Sequence, residues 1–311
     1  MLSRIADSLF WLGRYMERVE GILRASRTHY IYSLDRNNNT ASWSPILKVF
    51  SDLPDEEINS IENDTYAALH ALLLDGNNSN SAKNIISRAR ENARGIQDHI
   101  TREVWEEVNA IYHLINRPFV KMKLASSDTL EMIDLFLKHS MIYAGVTDVT
   151  MQRGTGWNVM KLGKFIERCT ETIILTDKQC QLFNYDLSKE HDITQWRFLL
   201  LSLAGYEAYL KTYRTMKHNQ YILHQAIFNA DFPHAVYYCL TQIDRSLNIM
   251  TQENNSLEVP DLLRTFGMTY SKIKYTAPAS LLDVDLQSFF ATLKNDLQLF
   301  NDKIKQLFFS Y

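Results

Sequence analysis

The residues of this sequence best equipped for chemistry are arginines and carboxylates set close together. Glu17 and Arg18 stand side by side in LGRYMER, with Arg14 just before them, and Glu167 and Arg168 repeat the arrangement in LGKFIER. A denser run, SRARENARGIQDHITREVWEEVN, holds Arg88, Arg90, Glu91, Arg94, Glu103, Trp105, Glu106 and Asn109. A guanidinium grips carboxylate or phosphate through paired N–H donors, so Arg88, Arg90 and Arg94 are candidates for holding an anionic peptide end or a nucleotide. Glu91, Arg94 and Glu106 are the candidates for a buried acid/base and anion site if the chain is an enzyme. The competing reading is a solvated helical face laced by salt bridges. Neighbours on a helix do not face each other, so neither Glu17–Arg18 nor Glu167–Arg168 is simply one salt bridge, and each side chain looks to another helix, to solvent or to a ligand.

Other chemistry finds little support, and no residue is assigned a catalytic role. Di-iron bundles need Glu-x-x-His on two helices, and no Glu here has His three positions on. The nine histidines form neither H-E-x-x-H nor a Cys/His cluster, so neither a metal nor a cofactor is expected. His234, after Pro233, reads as a helix-start residue. G-x-S-x-G, P-loop and G-x-G-x-x-G patterns are missing, and the GTG at Gly154 to Gly156 is too little to name a nucleotide site. The cysteines Cys169, Cys180 and Cys239 lie far apart and read as reduced thiols.

Composition sets the frame for these residues. A net charge of −3 gives no global pull toward nucleic acid or an acidic membrane. Only 10 Gly and 6 Pro in 311 residues leave few places to turn, which favours long helices. No signal-type or membrane-spanning apolar run is visible, so a cytoplasmic protein is expected.

The apolar residues Leu2, Ile5, Leu9, Leu12, Met16, Val19 and Leu23 recur at steps of three and four, predicting a first helix to about Ser33. DRNNNT breaks it, and a short helix follows with Ser42 or Ser44 as cap and Pro45 in its first turn. PDEEINSIENDTYAALHALLLD reads as one helix, then AKNIISRARENARGIQDHI and TREVWEEVNAIYHLIN as two more, with Thr101 as a cap and Pro118 closing the second. A long helix is predicted near Asp128 to Val146. TDVTMQRGTGWN reads as a seam, and beyond it helical periodicity returns in six segments, with ITQWRFLLLSLAGYEAYLKTYRTM read as one and HAVYYCL ambiguous between helix and strand.

The doubled motif has company. Glu17 and Glu167 are 150 positions apart, Trp43 and Trp196 are 153 apart, and Ile85 and Val236 are 151 apart. Anchors at nearly one offset point to two copies of a helical unit, far longer than a solenoid repeat. The expected architecture is all-α: two pseudo-repeated helical bundle units, 1–150 and 151–311, packed into one elongated or globular domain. The dense charge of residues 88–109 is peculiar to the first copy.

The start MLSRIADSLFWLGRYMERVE, the middle SRARENARGIQDHITREVWEEVN and the later LGKFIER together resemble the bacterial alpha-E family, a helical family named for its E-R motif, over essentially the whole chain. The matching positions are Leu12, Gly13, Arg14, Glu17 and Arg18; Arg88, Arg90, Glu91, Asn92, Arg94, Trp105, Glu106 and Asn109; and Gly163, Glu167 and Arg168. FPHAV at Phe232 to Val236 departs from the Pro-Arg-Ser-Val of relatives, which weakens the case for an anion contact at that helix start. Genes of the family often neighbour those of a circularly permuted ATP-grasp protein and a transglutaminase-like protease. The resemblance therefore implies an accessory or binding protein of an ATP-grasp-linked peptide synthesis, tagging or modification system, with an ATP-grasp ligase-like protein and a peptide as partners. The alternatives are an enzyme of the same pathway with an Arg/Glu site in the first half, or a stand-alone oligomerising helical scaffold.

Overall fold

The computed structural model describes residues 3–34, 42–252, 256–276 and 285–309. Within them the chain forms fifteen α-helices and no strand. Leu2 and the DRNNNT loop lie outside the described residues. By its internal contacts the chain divides into two compact units, Trp11–Arg153 and Met1–Phe10 with Gly154–Tyr311. The division falls inside the TDVTMQRGTGWN segment and a second time within the first helix, so residues up to Phe10 go with the later part of the chain.

In the Trp11–Arg153 unit, α1 (Ser3–Ser33) supplies its residues from Trp11 onward. Its stripe Leu12, Met16, Val19 and Leu23 is buried, as the three-and-four spacing requires. In α2 (Ser44–Phe50) the cap position is Trp43, while the Ser42 hydroxyl accepts the Ser44 N–H. The segment read as one helix from Pro54 is two, α3 (Asp55–Ile61) and α4 (Thr65–Leu73). The break comes at Asp64, whose carboxylate accepts the Ala67 N–H at 3.0 Å; a short acceptor side chain competes with helix continuation and favours a new start. Then follow α5 (Ala82–Gly95), α6 (Arg102–Ile115), α7 (Pro118–Leu124) and α8 (Thr129–Thr150). Pro118 opens α7 as well as ending α6, and Thr101 holds the cap position of α6 with its hydroxyl bonded to Thr150 Oγ1 at 2.7 Å instead of to the helix. Helix α5 packs on α6 and α6 on α8. Ile85, Ala89, Val108, Ile111 and Phe136 are fully buried there. The Ile, Val and Phe side chains among them each contribute about 1.5–3 kcal/mol by leaving water.

In the other unit, residues of α1 up to Phe10 join α9 (Thr155–Leu182), α10 (Ile193–Ser202), α11 (Tyr206–Thr212), α12 (His218–Leu223) with a π turn at His224–Phe228, α13 (Val236–Thr251), α14 (Val259–Tyr275) and α15 (Leu286–Phe309). The ambiguous HAVYYCL resolves as the start of α13. Helix α9 is the spine, with α13 and α15 packed along it. Ala6, Leu9 and Phe10 are buried here, and the Phe10 and Phe309 rings lie 5.0 Å apart. Lys294 of α15 donates to Asp177 of α9 at 2.9 Å, and Tyr185 OH donates to the same carboxylate.

The segment from Ile193 read as one helix breaks between α10 and α11. Ala204 takes a left-handed conformation with φ 53°, and the Gly205 N–H bonds the Leu200 carbonyl at 2.7 Å. Gly205 is fixed by space: a Cβ there would stand 2.6 Å from Gln225 Nε2 and 2.8 Å from Phe232 Cζ. Gly205→Ala is therefore expected to cost about 1–3 kcal/mol by overpacking, read as a lower urea midpoint at an unchanged slope.

Candidate functional site

The motif helices come first because they carry charge into the core. Arg14 is 8% exposed and Glu17 6%, with the Arg14 guanidinium 5.0 Å from the Trp11 ring centroid. Arg18 reaches across its unit and donates to Asn80 Oδ1 at 3.3 Å in the loop that starts α5. That loop is built around buried Asn78, whose amide donates to the Ala71 carbonyl and whose Oδ1 accepts the Asn80 N–H at 3.0 Å. Tyr143, on α8, is buried near Glu17; burial is the main cause pushing its hydroxyl well above the usual tyrosine range, with the Glu17 charge adding to it.

The second motif does the same work within its own unit. Glu167 is 6% exposed and Arg168 8%. Arg168 donates to the Pro233 carbonyl at 3.4 Å, in the loop that starts α13, and lies 5.5 Å from the Phe165 ring centroid. One turn on, the Thr172 hydroxyl donates to the His234 carbonyl at 2.7 Å. His234 thus stands just before α13 and serves through its backbone. In both units the arginine of the motif holds the loop that launches the helix next to it.

The run 88–109 behaves differently. Arg88, Glu91, Arg94 and Glu106 are exposed, so the expectation of a buried acid/base site at Glu91, Arg94 and Glu106 does not hold. The physical reason is visible in the amphipathic pattern: Ile85, Ile86, Ala89 and Ala93 turn the core face of α5 inward and leave Arg88, Glu91 and Arg94 outside it, and Val104, Val108 and Ile111 do the same on α6 for Glu106. Glu91 accepts from Arg94 at 2.5 Å, and Glu106 from Arg102 at 2.6 Å, both between neighbours on one helix. Arg90, Trp105 and Asn109 are brought together: Arg90 Nε donates to Asn109 Oδ1 at 2.7 Å, and its guanidinium lies 4.4 Å from the Tyr112 centroid and 5.8 Å from that of Trp105. This clasp ties α5 to α6 and leaves Arg88 and Arg94 facing outward.

Two Tyr–His pairs escaped the sequence reading. Tyr209 OH meets His218 Nδ1 at 2.8 Å, and Tyr213 OH meets His224 Nδ1 at 2.6 Å while accepting from Asn229 Nδ2. Their partners are nine and eleven positions apart, joined by a turn and a π segment, and no helical period brings such positions together. Burial holds the His224 imidazole below its usual range and the Tyr213 hydroxyl above its own. Burial also raises Cys169 well above the ordinary thiol range and Cys180 to about 12, marking them as packed, unreactive thiols. Among the described residues no group of three or more His, Cys, Asp and Glu side chains is placed to hold a metal ion, and no helix is long and apolar enough to cross a membrane.

Two outcomes follow from these placements. Arg168→Ala removes a buried guanidinium and its bond to the Pro233 carbonyl and is expected to destabilise by about 1.5–3 kcal/mol, whereas Arg94→Ala on the exposed face costs about 0.5 kcal/mol or less, both read from urea midpoints. For His224 the folded pKa lies below the unfolded value near 6.5, so its contribution is complete above about pH 6.5 and is lost as pH falls through the folded value. His224→Gln should flatten that acid-side slope in stability measured between about pH 7 and about pH 5.

Neither the curated proteins nor the solved structures compared give a match. The family model described as a predicted alpha-helical domain with a conserved ER motif matches residues 1–309, and the chain belongs to this alpha-E family.

Proposed function

We propose that this protein is a cytoplasmic, non-catalytic accessory protein of an ATP-grasp-linked peptide synthesis, tagging or modification system, built from two copies of one helical unit. The observation that carries the accessory reading is the split in how charge is used. The motif residues Arg14, Glu17, Glu167 and Arg168 are buried, while Arg88, Glu91, Arg94 and Glu106 are displayed on α5 and α6. Side chains that are to polarise a reacting bond work best in a dry enclosure. Charges spread on an exposed helical face favour partner choice and rapid encounter instead. The ligase would supply the ATP chemistry, and this face would meet the ligase or its peptide.

Duplication is supported by parallel contacts inside each unit. Trp43 and Trp196 are both buried, and their indole N–H groups donate to side chains further along, Thr65 and Asn219. Asn78 and Asn229 each accept the N–H two residues on, in loops before α5 and α13. Arg18 and Arg168 reach those same two loops.

The test is co-purification of the tagged protein with an ATP-grasp ligase-like protein of the same organism, followed by ADP release with candidate amino acids and peptides. A stable complex with stimulated turnover is expected. Arg88→Glu with Arg94→Glu should cut the recovered complex about tenfold or more without shifting the thermal midpoint. Recovery of no complex, or turnover indifferent to this chain, defeats the reading.

A further inference from the structure

We infer that the bond between Tyr213 and His224 is a pH-sensitive latch, which holds α11 onto the π turn near neutrality and lets that helix open in mild acid. It acts whatever partner the α5–α6 face meets. Helix α11 is weakly anchored by packing: of its 7 residues, Tyr209 alone is buried. Bonds at its end therefore carry much of its attachment, and an element with so little buried surface is where a fold opens first. Tyr213 stands at the C-terminal cap of α11, its N–H donating to the Tyr209 carbonyl at 2.8 Å. From there its hydroxyl crosses the α11–α12 link to meet His224 Nδ1 at 2.6 Å.

The count of hydrogens makes this bond one-sided. Asn229 Nδ2 donates to the Tyr213 oxygen at 3.0 Å, so the hydroxyl hydrogen goes to His224 Nδ1, which must be bare. The closed latch thus requires a neutral imidazole. An imidazolium would turn Nδ1–H toward the Tyr213 oxygen, and among the described residues the displaced hydroxyl hydrogen has no other acceptor. Staying closed over the charged ring then costs an orphaned O–H and the desolvation of a cation. Beside the pair stand Tyr209 with its partner His218, Tyr221 with its ring 5.3 Å from that of Tyr213, and, along the chain, the exposed Arg214, Lys217 and Asp231. Glu190 acts on Tyr209. Helices α9, α12, α13 and α14 pack on the π turn, yet among the described residues no carboxylate offsets a charge on His224, and burial is the cause that holds its imidazole below the usual range. The closed form takes up its proton at lower pH than the open one, so closure is complete above about pH 6.5 and is lost as pH falls through the closed-form value.

The experiment is amide hydrogen exchange of the full chain at about pH 7 and about pH 5, with the intrinsic rates divided out. Protection of the α11 amides is expected to fall about threefold or more, while that of α9 and α13 falls less. His224→Asn, which keeps an acceptor near the place of Nδ1 and cannot titrate, should abolish the fall. Tyr213→Phe should show α11 protection lowered about threefold or more already at about pH 7, with a smaller further fall in acid. That variant decides the matter if His224→Asn does not fold, and a full wild-type fall in it overturns the latch. Wild-type α11 protection indifferent to pH overturns it as well. So does a fall shared equally by α9 and α13, which is loss of the whole unit, or one that persists in His224→Asn, which belongs to another group such as His218.

Discussion

Placing a guanidinium inside a protein obliges the surrounding chain to supply acceptors, and in this molecule that obligation is met by loops. The buried Arg168 finds the carbonyl of Pro233, and the half-buried Arg18 finds Asn80. Each acceptor lies only a few residues before a long helix, so the direction of α5 and of α13 is tied to the motif helix of its own unit. An unmet buried cation is costly, and this binds the Pro233 loop to Arg168. The Phe165 ring adds a face for the Arg168 charge to rest on, as the Trp11 ring does for that of Arg14. The motif is therefore best understood as a fastening between a helix and a turn.

That fastening explains why the remaining charge lies where it does. Once α5 is fixed, its apolar face Ile85, Ile86, Ala89 and Ala93 covers α6, and the other side must be polar. Arg90 is the exception that crosses between the two: its stem and plane lie over Tyr112 while its Nε is claimed by Asn109. A lysine could not do both, having no planar group to lie on the ring.

Most helices were legible because periodicity at three and four residues survives in any environment; α1, α5, α6, α13 and α14 follow it closely. The breaks were less so. Nothing in the periodicity separates Ile61 from Thr65, and only the preference of Asp64 for a capping geometry does so. The Ala204–Gly205 break depends on Gln225 and Phe232, some twenty and more positions away, and distant packing of that kind leaves no local trace. For the candidate residues, charge density was read from the chain correctly as charge density. Whether Glu91, Arg94 and Glu106 pointed in or out was open, because the run contains both apolar and charged residues at every turn. The Tyr–His pairs needed the turn itself.

The split of α1 between the two units bears on how the molecule is made. Ala6, Leu9 and Phe10 are synthesised before the whole Trp11–Arg153 unit, yet the surfaces that bury them come from Gly154 onward, and Phe309 covers Phe10 only when α15 is complete. The Trp11–Arg153 unit has all its parts as soon as α8 has left the ribosome. The other must wait for α15, leaving an apolar stretch uncovered while the chain between is made, in the interval when nascent chains are most open to chaperones and to aggregation.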